Sequence, residues 1–304
     1  MRRKIIRQGN NSYTLTLPIN WIKEIGMDEG DEVDVTEEGS SLIIMPQEMS
    51  AKKFDTASID VTGVLESNIR TILGNAYRLG YDRIRVTYKG EDQLKIIKEM
   101  VNIYLLGFDV TESKEGLCII ESIAEPSIES FDKMVEKMFH VIAEMESMTI
   151  RYMERGKTDL EEIISLLAKV HLYDNFCRRA MSKKKIVEKR SHFYWIFLSL
   201  LAHIGREIYY MNMAMKNHKI KPSKGSIDLM YKEKEMFSLL SKAYMGKTVD
   251  PIANIHFAEK TMIYGKGYKE LTSKNKDHIL VHHILSIMRN TYFASSPIYG
   301  ILMN

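Results

Sequence analysis

The spacing of hydrophobic residues changes twice along this 304-residue chain and divides it into three parts. In residues 1–47 apolar and polar residues alternate as in strands, except for a short helix predicted after Pro18. Residues 48–122 alternate strand and helix patterns, and residues 123–304 keep the three-to-four spacing of amphipathic helices. We therefore predict an α+β multidomain protein with an N-terminal β module, a small α/β connector and a mainly helical part.

The helical part contains an internal repeat. The segment beginning at Tyr152 resembles the segment beginning at Tyr244, and a constant offset of 91 aligns Ile164 with Ile255. Six stretches have the three-to-four hydrophobic spacing of a helix, so a duplicated three-helix unit accounts for all of them. The sequence thus predicts two three-helix bundles within residues 123–304.

The formal net charge of +3 is unevenly distributed along the chain. Residues 1–47 carry −3, but four basic residues precede residue 8 and all eight acidic residues lie between 24 and 38. A hairpin module this short cannot bury its apolar face alone, so we expect it to pair with a second copy. The resulting homodimer would carry about eight basic charges around a two-fold axis, which matches the symmetry of duplex DNA.

The first part resembles the SpoVT-AbrB family over almost its whole length. The motifs are Arg3-x-Ile-x-Arg-x-Gly, Tyr13-Thr-Leu-Thr-Leu-Pro18, Gly26-Met-Asp-Glu-Gly-Asp31, Val33-x-Val35 and Leu42-Ile-Ile-Met-Pro46. The resemblance implies a swapped-hairpin homodimer that binds DNA through its first strand. Carried over to this sequence, it implies the DNA-binding residues Arg3, Lys4 and Arg7, with Arg2, Asn10 and Asn11 close enough to contribute.

The third part resembles the PhoU family of phosphate-uptake regulators, which are built from tandem three-helix bundles. The resemblance rests on the internal repeat and on Leu201-Ala-His-Ile-Gly-Arg-Glu207. Many such proteins hold a metal cluster with acids four residues apart, and these positions are Ala202 and Arg206 here. The second half offers Ser286 and Asn290. We therefore expect neither the metal cluster nor another cofactor.

Two further clusters have a structural and a functional interpretation. His140 and Glu144, and His171 and Asp174, are spaced to share helix faces as metal ligands, but a hydrogen-bonded polar pair is the more common arrangement. A second cluster is a basic run that would form either a solvated interhelical loop or an additional contact for DNA or an acidic partner. It consists of Arg178, Arg179, Lys183, Lys184, Lys185, Lys189 and Arg190.

The sequence contains no motif for an enzyme. It has no Gly-x-Ser-x-Gly, phosphate-binding loop or His-Glu-x-x-His, and its two cysteines are far apart, which favours a cytoplasmic location. The longest apolar run, residues 193–201, is about half of the ~20 residues that span a bilayer, so no membrane insertion is expected.

These observations predict a cytoplasmic, homodimeric transcription regulator that binds duplex DNA and controls phosphate uptake or homeostasis. A phosphate-transporter component is a further expected partner of the helical part. The alternative is an adaptor that regulates such a transporter by direct protein contact and uses its N-terminal hairpin mainly to dimerise.

Overall fold

The structure, a computed structural model, describes residues 2–9, 12–38, 41–46, 55–124, 128–156, 159–184 and 188–303. The chain divides into two units, Met1–Phe54 and Asp55–Asn304. The first consists of β-hairpins and one short helix, and the second joins an α/β sheet to a long helical part. The predicted α+β multidomain class is confirmed.

The N-terminal unit is built from two hairpins. Strands β1 (Ile5–Gln8) and β2 (Ser12–Leu15) pair antiparallel, as do β3 (Val33–Glu38) and β4 (Ser41–Pro46). Helix α1 (Ile19–Glu24) begins directly after Pro18, because the proline φ of −67° suits a helix start. The two hairpins form separate two-stranded sheets among the described residues.

A four-stranded sheet and two helices form the connector. Its elements in chain order are β5 (Thr56–Asp60), α2 (Glu66–Leu79), β6 (Arg83–Thr87), α3 (Gly90–Tyr104), β7 (Phe108–Lys114) and β8 (Leu117–Ser122). The strand order is β5-β6-β8-β7, with β5 and β6 parallel and the other pairs antiparallel. Ile69, Leu73, Ile84, Ile97 and Ile120 are completely buried, so the helices and the sheet share one hydrophobic core.

Six helical segments follow, as the sequence predicts. They are α4 (Ile128–Arg155), α5 (Leu160–Lys184), α6 (Ser191–His218), α7 (Lys224–Met245), a composite segment and α10 (His278–Leu302). The composite segment consists of α8 (Ile252–Ala258), a π-helix (Glu259–Gly267) and α9 (Tyr268–Leu271).

The positions of these helices agree with the internal repeat. Adding 91 to Leu160, where α5 begins, gives residue 251, next to the start of α8 at Ile252. Adding 91 to Arg155, where α4 ends, gives residue 246, next to the end of α7 at Met245. Equivalent helices of the two halves pack on each other, α4 on α7 and α6 on α10. One hydrophobic core therefore runs through both three-helix halves.

Within the part of the chain that the structure describes, no helix combines the length and the apolar character needed to cross a membrane.

Candidate nucleic-acid interface

The predicted DNA-binding residues lie on and just before β1. Arg2, Arg3 and Lys4 precede the strand, Arg7 lies within it, and all four are exposed. In the pairing with β2, Arg7 is opposite Tyr13. Because side chains alternate along a strand, residues 5 and 7 share one face of the hairpin with their cross-strand partners. The face that carries Arg7 therefore also carries apolar and aromatic side chains. Asn10 and Asn11 lie outside the described residues.

The hydrophobic residues of this unit are exposed in the single chain. Ile5 is 67% exposed, Ile6 59% and Leu42 63%, and no described residue of the unit belongs to a buried core. An isolated two-stranded hairpin is only marginally stable in water. The described part of the unit thus lacks a core of its own, as expected for a module that pairs with a second copy.

The acidic residues lie in a turn and on the second hairpin. The Asp28 amide donates to Asp31 Oδ2 at 2.8 Å, and Gly30 between them has a φ of 101°, which favours glycine. Because side chains alternate along β3, Asp34 lies on one face of the strand, and Val33 and Val35 lie on the other face. The acids consequently belong to elements other than the basic strand β1.

The basic run around residue 180 does not form one exposed patch. Arg178 and Arg179 belong to α5 and are 6% and 1% exposed. Arg178 Nε donates to Asp174 Oδ1 at 2.8 Å, and Arg179 Nη2 donates to Asp82 Oδ1 at 3.1 Å. The expectation of a solvated loop or a DNA contact is therefore wrong for these two arginines, because they form buried ion pairs.

The remaining residues of that run are in different surroundings. The Lys183 ammonium also binds Asp82, and Arg190 donates to the Ile301 carbonyl at 2.8 Å. Lys189 is exposed in a short 3-10 turn. The side chain of Lys184 and all of Lys185 lie outside what the structure describes. Among the members whose side chains the structure describes, only Lys189 is exposed.

The four candidate metal ligands do not converge. His140 and Glu144 are exposed on α4, whereas Asp174 is buried between Arg78 and Arg178. Burial raises the pKa of the Asp174 carboxyl, although both arginines act to lower it. No group of three His, Cys, Asp or Glu side chains suited to a metal ion is found among the described residues.

His171 lies in a positively charged environment. Burial lowers the pKa of His171 to about 4, and the charges of Arg206 and Arg78 lower it further. The imidazole is therefore neutral at pH 7. Asp174 is bound by arginines rather than by His171, so the expected polar pair is replaced by an arginine–aspartate cluster.

Two buried carboxyl groups in the helical core are not evident from the sequence. Glu146 of α4 and Glu233 of α7 are both fully buried. Burial raises the pKa of Glu233 to about 7, and burial together with the Glu233 charge raises the pKa of Glu146. Thr291 Oγ1 donates to Glu233 Oε1 at 3.2 Å. Their only sequence signal is that both lie at positions of the apolar helix faces.

The N-terminus matches a known protein family. Residues 6–52 match the family described as antidote-toxin recognition MazE, bacterial antitoxin. A MazE/AbrB-like domain at this position is consistent with a swapped-hairpin DNA-binding module. No curated protein and no solved structure gives a significant match to the chain.

Proposed function

We propose that this protein is a DNA-binding transcription regulator that acts as a homodimer and has no catalytic reaction of its own. The observation that carries the proposal is the N-terminal unit. Its described part exposes four basic residues on or beside β1 and buries no hydrophobic residue. The match of residues 6–52 to an antitoxin family supports the same role.

The second copy has two effects in this proposal. It covers the apolar side chains of the hairpins, and burial of such surface contributes about 25 cal/mol per Å². It also places two copies of β1 around a two-fold axis, so the arginines can contact phosphates on both half-sites of a duplex. Arginine can in addition bind the O6 and N7 atoms of guanine with two hydrogen bonds, which provides sequence recognition.

The regulated process in this proposal is phosphate uptake. This part rests on the resemblance of the helical residues 123–304 to the PhoU family, and the helical part would then respond to a partner such as a phosphate-transporter component. It is tested by comparing transcripts of phosphate-transporter genes between the wild-type strain and a deletion strain, at high and low phosphate. Equal transcript levels in all four conditions would contradict it.

DNA binding is tested by a salt titration. Fluorescence anisotropy would measure the affinity of the full chain for the DNA upstream of its own gene and of neighbouring genes. The logarithm of the binding constant for DNA falls linearly with the logarithm of the salt concentration, and each phosphate contact contributes about −0.9 to the slope. Arg3→Ala and Arg7→Ala each remove two charges from a dimer, so each should lower the slope by ~2 and the affinity by about tenfold or more.

Lys23→Ala is the matched control, because Lys23 is exposed in the same unit but lies on α1. Its slope should equal that of the wild type if β1 holds the DNA. Equal losses in Lys23→Ala and Arg7→Ala would contradict the assignment to β1. If the chain binds none of the DNA fragments, DNA binding is rejected. The result would then favour the alternative function, an adaptor that acts by protein contact and uses its hairpins only to dimerise.

A further inference from the structure

A cavity of about 330 Å³ lies where the connector packs against the helical part. Its positively charged wall consists of Arg70 and Arg78 from α2 and Arg206 from α6, with His171 of α5 beside them. None of the residues that line the cavity is acidic. The volume is within the range of small-molecule sites, roughly 300–1,000 Å³.

Two of the three arginines have acidic partners outside the cavity wall. Arg70 Nη2 lies 3.0 Å from Glu66 Oε1 and 2.6 Å from Glu99 Oε2. Arg78 Nη2 lies 3.3 Å from Asp174 Oδ2, and its Nε donates to Asn175 at 2.8 Å. These contacts hold both guanidinium groups in place.

Arg206 is different, because it has no hydrogen-bond or ion-pair partner among the described residues. It is half-buried on α6, near Arg78 and His171. The Asp174 carboxylate attracts Arg206 as well, but it already pairs with Arg78 and Arg178. One carboxylate therefore faces three guanidinium groups, and the empty cavity keeps an excess of positive charge. A bound anion would neutralise this excess. His171 adds a neutral ring that can donate one N–H to such an anion.

We infer that this cavity binds a doubly charged phosphate group, through Arg78, Arg206 and His171. The planar guanidinium group matches phosphate oxygens with two parallel hydrogen bonds, which favours a phosphate over a halide. The group is either free phosphate or part of a phosphomonoester. The second source fits better, since a phosphate ion fills only part of the volume and Met100 and Tyr104 offer an apolar wall.

Such a ligand would contact both the connector and the helical part. Thr71, Arg78 and Tyr104 belong to the connector, whereas His171 and Arg206 belong to the helical part. A ligand that binds the folded chain but not the unfolded chain raises the melting temperature. At a ligand concentration of a hundred times Kd, we expect a rise of about 5 °C.

The experiment is isothermal titration calorimetry on the full chain without DNA, together with melting curves. The probes are inorganic phosphate, ribose 5-phosphate and adenosine 5′-monophosphate, with adenosine as the uncharged control. Heat from any phosphate-bearing probe, and none from adenosine, supports the inference. Binding by the esters but not by free phosphate identifies a phosphomonoester, and the reverse identifies the free ion. No binding of any phosphate-bearing probe overturns the inference.

Two variants locate the site. Arg206→Gln removes the unpaired charge, and Thr71→Glu introduces a carboxylate from the exposed connector side of the cavity. Both should weaken binding by about tenfold or more, since hydrogen bonds to charged groups are the strong ones. Arg151→Gln, which changes an exposed arginine on α4, should bind like the wild type. Circular dichroism confirms that each variant is folded.

Binding that is equal in Arg206→Gln and Arg151→Gln would overturn the inference even if a probe binds, because the site would then lie elsewhere. A role of the ligand in controlling DNA binding would rest on the proposed function. The binding measurement does not, since it contains no DNA. The two can therefore fail independently.

Discussion

The Arg179 guanidinium and the Asp82 carboxylate form an ion pair of 3.1 Å, although 97 residues separate them in the chain. Arg179 also donates to the Tyr81 carbonyl at 2.8 Å and lies over the ring of Phe108, 4.6 Å from its centroid. The arginine is 1% exposed. A side chain of α5 thereby anchors the helical part to the connector.

Asp82→Ala should strongly destabilise this junction. The substitution leaves the Arg179 charge buried without its carboxylate and also removes a partner of Lys183. Breaking a buried ion pair costs about 3–5 kcal/mol, and we expect about 3 kcal/mol because two carbonyl contacts remain. Urea denaturation measures the loss. Asp92→Ala, at an exposed acid of α3, is the control and should cost less than ~1 kcal/mol. Equal losses would show that the ion pair is not important for stability.

The buried pair Glu146 and Glu233 should make the stability of the protein depend on pH. Burial raises both pKa values, that of Glu233 from 4.5 to about 7, so the folded chain holds more protons than the unfolded chain between these values. The free energy of unfolding should therefore fall as pH rises from 4.5 to about 7. Denaturation at several pH values measures this slope.

Glu146→Gln tests the origin of that slope, because glutamine keeps the shape of the side chain but cannot ionise. We expect the variant to match the wild type at pH 4, where this glutamate is mostly protonated in both states, and to be more stable than the wild type at pH 8, where burying the ionised form or holding the proton costs free energy. Glu144→Gln changes an exposed acid on the same helix and should leave the pH dependence unaltered. The same difference at both pH values would show that ionisation of Glu146 is not involved.

Gly267 and Gly265 in the π-helix should respond differently to alanine. A Cβ at Gly267 would clash with Leu285 Cδ2 and lie 2.9 Å from the Met262 carbonyl oxygen, whereas a Cβ at Gly265 would point into open space. Gly267→Ala should thus cost about 1–3 kcal/mol through overpacking. Gly265→Ala should be neutral or stabilise the chain by up to ~1 kcal/mol. Thermal unfolding of both variants gives the comparison, and a neutral Gly267→Ala would refute the close approach of α10.

The exposed apolar face of the second hairpin should form a dimer contact. Leu42 is 63% exposed in the single chain, so Leu42→Asp should leave the chain folded but shift sedimentation from the mass of two chains to that of one. Leu79→Asp places the same change at a leucine of α2 that is 68% exposed, and this variant should remain dimeric. A monomeric wild type, or a Leu42→Asp dimer of unchanged affinity, would contradict the paired hairpins.

Local spacing of residues predicts much of this fold. The helical stripes and the repeat offset of 91 locate all six helical segments, because a helix face repeats every three to four residues wherever the helix packs. The alternation in residues 1–47 likewise predicts the strands, and Pro18 marks the start of α1. Arg3 and Arg7 are exposed, and their binding to DNA stays a prediction.

The environment of individual charges could not be predicted in this way. Arg178 and Arg179 belong to a stretch of basic residues that is typical of a solvated loop, yet both are buried. The reason is that α5 packs along α2, where Arg179 pairs with Asp82. Arg206 stands out in the sequence only as a residue that replaces an acid, and its position in a cavity follows from the packing of α6 near the connector.

Helices, strands and the basic N-terminal strand can thus be predicted from the sequence, since each depends on residues a few positions apart. The repeat can be predicted as well, because it needs only a comparison of two segments of the sequence. Which arginines are buried, which carboxyl groups share the helical core and which cations face a cavity depend on contacts between residues about 60 to 100 positions apart. Such contacts exist only after the helices have packed on each other and on the connector. The physical reason is that secondary structure is mainly a local property, whereas the energy of a charge depends on all the groups that fold around it.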